Sequence, residues 1–344
     1  MVTASRRVAA LALVALFAST LASCSAAAAP TPSPAATAAP TAAASVAATP
    51  ASTSSPTAAP TAASQTLTDD NSTAVTIPSN PARIVSLTPA TTEILFALGA
   101  GDRIVARSED PNPYPADAAK IPAVTSMGTV DIEKVVAAKP DLVIAGGLGF
   151  TPDDAIAQLR GLGIPVLVVY APDIKTVYAD MRLTGKAVGL ADAADALATK
   201  TQADMTAVSQ AATSAGGANP RVFYEIDASD AIYGPADKSF LAEMINQAGG
   251  TAITTGDPSL FSMPLEKLIK ADPQVIVLGD AAYGTTAQAV AARPGWKVMS
   301  AVKSGDIRPV DDVVVTRPGP RLAQGLRDLA LAINPKAVIP SPAP

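Results

Sequence analysis

The stretch DAADALATKTQADMTAVSQAAT, residues 192–213, decides the fold. Leu197, Thr201, Met205, Val208 and Ala212 recur at three- and four-residue steps, so they share one face of a helix. Asp192 stands where a cap belongs, and Asp195 falls in the first turn, where a negative charge suits the helix dipole. Gly189 closes a preceding helix over residues 175–188, and Gly216, Gly217 and Pro220 stop this one. At 1.5 Å per residue the rod spans roughly 33 Å, about the width of a small domain. Strands alternate with helices on either side of it. A rod between two such halves joins two lobes and resists their hinging.

In the first half, residues 83–87 form a β-rich run, residues 91–98 a helix closed by Gly99, and residues 104–106 a second strand. Residues 107–115 carry prolines and charges and read as a loop. Residues 142–145 and 165–169 are short continuous apolar strands, each next to a helix. The second half repeats this at residues 222–226 and 275–278, with helices over residues 239–248, 265–270 and 321–333. Continuous apolar strands between helices indicate a parallel sheet covered on both faces. One unit recurs: IEKVVAAKPDLVI at residues 132–144 returns as LEKLIKADPQVIV at residues 265–277. Both are helix–proline–strand units, too far apart for a solenoid. The expected fold is therefore α/β, with two parallel-sheet lobes joined by one long helix.

The N-terminus is of a different kind. Arg6 and Arg7 precede an apolar run over residues 8–21 and then Ala22, Ser23 and Cys24, the layout of a secretory signal. From Ser25 to about Thr68 the chain is almost entirely Ala, Pro, Thr and Ser, which bury no core and stay extended. These readings divide the chain into a signal at 1–23, a tether at 24–73, lobes at 74–190 and 215–338 around a linking helix at 191–214, and a tail at 339–344.

The chain has 344 residues and a formal net charge of −5, so no basic excess argues for nucleic acid. It has no histidine and a single cysteine. That excludes a Ser-His-Asp or Cys-His centre, an imidazole-ligated zinc or haem, and any internal disulfide or multi-thiolate metal site. No Gly-x-x-x-x-Gly-Lys phosphate loop is present.

Residues 83–101 (RIVSLTPATTEILFALGAG), 131–147 (DIEKVVAAKPDLVIAGG), 248–250 (AGG), 296–310 (WKVMSAVKSGDIRPV) and 317–322 (RPGPRL) together resemble the solute-binding lipoproteins of ABC importers for iron-siderophores, haem and cobalamin. The resemblance implies two α/β lobes bridged by one helix, the class III periplasmic-binding-protein arrangement, with the ligand between the lobes. It implies no enzymatic activity, catalytic residue, metal site or cofactor. It also implies cleavage before Cys24 with lipidation of its thiol, and hence an extracytoplasmic monomer anchored to the outer face of the cell membrane. The implied partners are a metal chelate, a permease and, through it, ATPase subunits.

Ligand contacts are expected from strand-end loops, where α/β folds hold their ligands. The candidates are Arg107, Glu109 and Tyr114 in the first lobe, and Tyr233, Phe261, Tyr283 and Arg317 in the second. Aromatic faces suit a large flat ligand, and arginines its anionic groups. Met127 and Phe150 read rather as core edge, and Trp296 as packing. The tryptophans that many corrinoid binders carry are missing; Met127 and Val314 stand at or near those positions. By the resemblance, Glu93 is a surface glutamate that docks on the permease. Asn246 replaces its counterpart in the second lobe, with Glu243 one turn earlier as a substitute. The alternatives are a lipoprotein sensor with the same fold but no transporter, and an α/β enzyme using Glu109 and Asp110.

Overall fold

A computed structural model describes residues 63–215 and 219–342. The expected signal, Cys24 and most of the expected tether lie outside the described residues, as do Gly216 and Gly217. The described residues belong to one compact unit.

The chain runs β1 (Ser64–Thr68), β2 (Ala74–Pro78), β3 (Ile84–Ser86), α1 (Pro89–Ala97), β4 (Ile104–Arg107), β5 (Thr125–Ser126), β6 (Thr129–Val130), α2 (Ile132–Ala137), β7 (Leu142–Gly146), α3 (Asp153–Gly161), β8 (Val166–Val169) and α4 (Ile174–Ala187). Helix α5 (Ala191–Ser214) follows. The second lobe then runs β9 (Arg221–Glu225), α6 (Phe240–Gln247), β10 (Thr251–Ala252), α7 (Leu265–Ala271), β11 (Val275–Leu278), α8 (Ala287–Ala292), α9 (Ser300–Ser304), β12 (Ile307–Pro309), α10 (Asp312–Thr316) and α11 (Leu322–Ile333). Each lobe holds a four-stranded all-parallel sheet, β4-β3-β7-β8 in the first and β10-β9-β11-β12 in the second. The two orders are equivalent.

The internal match extends to hydrogen bonds. Arg83 sends its Nε to the carbonyls of Ala138 and Lys139, where α2 ends. Arg221 sends its Nε to those of Ala271 and Asp272, where α7 ends. The backbone N–H of Arg83 donates to Asp141, and that of Arg221 to Gln274. A guanidinium at a helix C-terminus meets carbonyls that have no partner within the helix. Lys139 and Asp272 occupy matching positions, both in the left-handed region, with φ of 49° and 46°.

The cores explain why the lobes behave as one unit. Outer clusters lie separately against each sheet, one around Val85, Val143 and Leu159, the other around Phe223, Leu268 and Trp296. A single inner cluster takes in both sheets, running from Ile84 and Ile144 through Ala198, Met205 and Val208 of α5 to Val222 and Leu326. The face α5 buries is Ala194, Ala198, Thr201, Met205 and Val208; Leu197 and Ala212, expected on it, are only partly buried. The reason is close packing on α4: a Cβ at Gly185 would lie 2.1 Å from the Cβ of Ala194. Asp192 sits in the first turn, and Leu190, at the cap, makes no side-chain bond.

The folded body begins earlier than the expected boundary at 74. Strand β1 pairs antiparallel with β2. Leu67, Val75 and Ile77 feed the inner core. Asp69 ties the hairpin to Arg160 and to the N–H of Val168. Large apolar residues at alternate positions separate this hairpin from the Ala/Pro/Thr tract before it.

Candidate functional site

The strand ends of the two lobes carry an unusual set of exposed apolar side chains. In the first lobe these are Met127 (96 % exposed), Leu148 and Phe150 (70 %), all on loops after strands. In the second they are Leu260, Phe261 and Tyr283 (81 %). Met127 and Phe150 were expected at the core edge. The structure exposes both: Met127 is held at φ 48° at the tip of the β5–β6 hairpin, and Phe150 follows the Gly147–Gly149 turn. Large exposed side chains gathered at one end of two sheets mark a binding surface.

Between the lobes lies a cavity of about 390 Å³. Its first-lobe wall includes Thr88, Phe150, Tyr170 and Asp180, and its second-lobe wall Phe240, Asp312 and Arg317. Thr88 caps α1 by accepting the N–H of Thr91 at 3.2 Å, so the capped N-terminus of α1 forms part of the wall. A larger interlobe cavity of about 690 Å³ is lined by Phe96, Tyr114, Leu197, Arg321 and Arg327. A third, of about 590 Å³, sits on the strand ends of the second lobe beside Tyr283, Asp280 and Arg293.

Charges link the lobes across this region. Glu93 is 3 % exposed and accepts from Arg317 at 2.7 Å and from Arg321 at 2.6 and 3.0 Å. Arg317 also pairs with Asp110 at 3.1 Å. The guanidinium of Arg321 lies 4.1 Å above the ring of Tyr114. In the second lobe Arg293 grips the fully buried Glu225 at 2.5 and 2.9 Å. Burial pushes the Glu225 carboxyl up in pKa, against the pull of Arg293. Burial also raises Asp312, although the Tyr224 hydroxyl donates to it at 2.6 Å.

Several expected site residues have other roles. Arg107 is buried and donates to the carbonyls of Ala118 and Ser108, so it shapes the loop instead of reaching a ligand. Glu109 accepts the N–H of Met127 at 3.1 Å and thereby sets the exposed hairpin tip. Tyr233 bridges Asp227 and Ser262 through its backbone. Tyr114, Phe261 and Tyr283 are exposed, and Arg317 lines the interlobe cavity. Trp296 is packing, as read from its context: it lies in the outer core of the second lobe under Arg293.

The expected docking glutamates are corrected. Glu93 is not a surface group, because two arginines from the other lobe enclose it. Glu243 accepts the N–H of Ile174 at 3.1 Å and bonds Gln247, so it helps cap α4 across the lobes. Both carboxylates are engaged in bonds within the protein. Sequence reasoning missed Arg321 and Asp180 altogether and met Asp110 only as a catalytic candidate. The RPGPR run placed Arg321 four residues after Arg317, which was the available signal.

Known proteins agree with this geometry. Residues 84–314 match the family model described as periplasmic binding protein. An ABC transporter substrate-binding lipoprotein of Bacillus subtilis, YvrC, is 36 % identical over 273 residues, covering 78 % of this chain and 85 % of that protein. A vitamin B12-binding protein of Pectobacterium carotovorum is 25 % identical, covering 74 % and 90 %. The haem-binding protein RhuT of Roseiflexus superposes with a TM-score of 0.65 at 26 % identity, covering 73 % and 97 %. The chain belongs to the periplasmic binding protein family, whose members bind solutes for ABC importers and are not enzymes.

Proposed function

We propose that this protein is the extracytoplasmic receptor of an ABC importer for a metal chelate: a corrinoid, a ferric siderophore or haem. The observation that carries the reading is the cavity walled by both lobes and lined by Phe150, Tyr170 and Phe240, with exposed Met127, Phe261 and Tyr283 forming an apolar rim on the strand-end side of the lobes. Such a rim offers broad apolar faces to a large flat ligand and supplies no nucleophile and base together. The vitamin B12-binding and haem-binding relatives support the class of ligand. Cys24 is the lipid attachment point, the segment after it spaces the body from the membrane, and the protein works as a monomer beside a permease and its ATPase subunits.

Calorimetric titration of the purified protein with cyanocobalamin, haemin and a panel of ferric siderophores tests the reading. One-to-one binding of a member, with the ligand recovered unchanged, is expected. Phe150→Ala should weaken it by roughly 0.5–1.5 kcal/mol, the worth of an aromatic contact beyond its area. Failure of every chelate to bind would sink the receptor reading.

A further inference from the structure

Asp180 and Asp312 are the two carboxylates of the interlobe cavity, neither has a cation partner among the described residues, and only Asp180 keeps an oxygen without a hydrogen bond. Asp180 projects from α4, is 5 % exposed, and lines the cavity beside Tyr170 and Phe240. Among the described residues no donor reaches its buried Oδ1. Buried polar atoms nearly always have a partner, and the exceptions call for one from outside the fold. The groups that face it are acidic or neutral. Asp70 of the β1–β2 hairpin lies close enough to share a proton with it, and Asp173 at the start of α4 adds a second negative charge. Tyr170 and Asp312 complete the cavity's titratable lining, and Arg317 is its only cation. That cation is already matched by Glu93 and Asp110.

Resting on the receptor reading above, we propose that Asp180 selects the ligand: its carboxyl accepts a hydrogen bond from a donor-bearing arm of the chelate, a primary carboxamide, and disfavours ligands whose arms end in carboxylates. An amide N–H supplies the donor Oδ1 lacks. Above about pH 8, where Asp180 is ionised, a carboxylate arm would add negative charge beside it, with Arg317 already paired. Burial and the neighbouring Asp70 push the Asp180 carboxyl up to about 8, which matches a site kept free of cations.

Cyanocobalamin, with primary carboxamides on its rim, is compared with its monocarboxylate hydrolysis products, one isomer at a time, and with haemin. Above about pH 8, with Asp180 ionised, wild type should bind cyanocobalamin at least about tenfold tighter than one of the monocarboxylates and tighter than haemin, the worth of one hydrogen bond to a charged group. Its affinity for the amide form should rise as pH passes through about 8, because the ionised carboxyl is the stronger acceptor. Asp180→Asn keeps an acceptor of the same shape and should bind cyanocobalamin with the pH dependence gone. Asp180→Leu should lose about tenfold and narrow the gap between amide and carboxylate forms. Melting curves of both variants confirm that they fold. Equal binding of amide and carboxylate forms, preference for haemin, or an unchanged Asp180→Leu would each overturn the assignment while leaving the receptor reading in place. Wild type that binds no chelate at all would instead remove that reading and this one with it.

Discussion

The two lobes repeat each other at the N-terminal ends of their strands and differ at the C-terminal ends. Below, the arrangement is the same twice: an arginine at the start of the first parallel strand, a helix end it clasps, a left-handed residue, a proline and a polar side chain that takes the arginine's N–H. Above, both lobes present apolar loop tips, but the first adds a capped helix N-terminus while the second adds Glu225, Asp280 and Asp312 with Arg293 and Arg317. Backbone closure has few solutions, so the lower ends kept theirs. Ligand contact has many, and α/β folds place it at the upper ends.

The sharpest break of that comparison is at the top, where the lobes meet. Removing the Glu93 side chain leaves Arg317 and Arg321 partly buried, with only Asp110 between them. Breaking a buried ion pair from one side costs about 3–5 kcal/mol. Glu93→Ala should therefore lower the urea midpoint strongly at constant slope. Glu243→Ala, which gives up one bond to the N–H of Ile174 and one to Gln247, should cost about 1–2 kcal/mol. Equal effects for the two would mean that Glu93 behaves as an exposed group and that the lobes are not clamped there.

The same contrast explains what the sequence disclosed. The linking helix was legible because periodicity is local, and the parallel sheets because β7, β8 and β11 are continuous apolar runs. The β1–β2 hairpin was hidden because SQTLT continues a Ser/Thr-rich composition, and only Leu67 departs from it. Tyr283 and Phe261 could be assigned to loops from their neighbours alone. The burial of Glu93 could not, since it depends on arginines 224 and 228 positions away. Asp180 gave no signal either: on a helix with apolar neighbours it reads as an ordinary polar position, and its isolation comes from the hairpin and the other lobe.

At the bottom the expectation is equality. Arg83→Met and Arg221→Met each withdraw a guanidinium from two helix-end carbonyls while keeping an apolar stem. Hydrogen bonds to charged groups are worth about 1.5–3 kcal/mol, so each variant should lose that much by denaturant unfolding, and the two losses should agree within about 0.5 kcal/mol. A loss in only one lobe would show that the internal match is a likeness of sequence without shared energetics.

The smallest effect comes from the left-handed residues that end the matched helices, and here the lobes should part. A non-glycine residue pays for that conformation, and glycine does not. Lys139 is exposed at φ 49°, and nothing in the helix end depends on its side chain. Lys139→Gly should therefore be stabilising by roughly 0.5–1 kcal/mol. Asp272 has the same backbone, yet its carboxylate accepts the N–H of Ser300 at 2.7 Å and its hydroxyl at 2.8 Å, and also pairs with Arg221. The Ser300 bonds hold its carboxyl below the usual carboxylate range, so they favour the ionised form. Asp272→Gly relieves the same strain but removes the bonds that fix the start of α9. The balance should be a net loss. Thermal melts of the two variants read the difference directly: a rise for Lys139→Gly and a fall for Asp272→Gly. Two rises would mean that the Asp272 carboxylate contributes nothing and that the helix ends are equivalent in every respect.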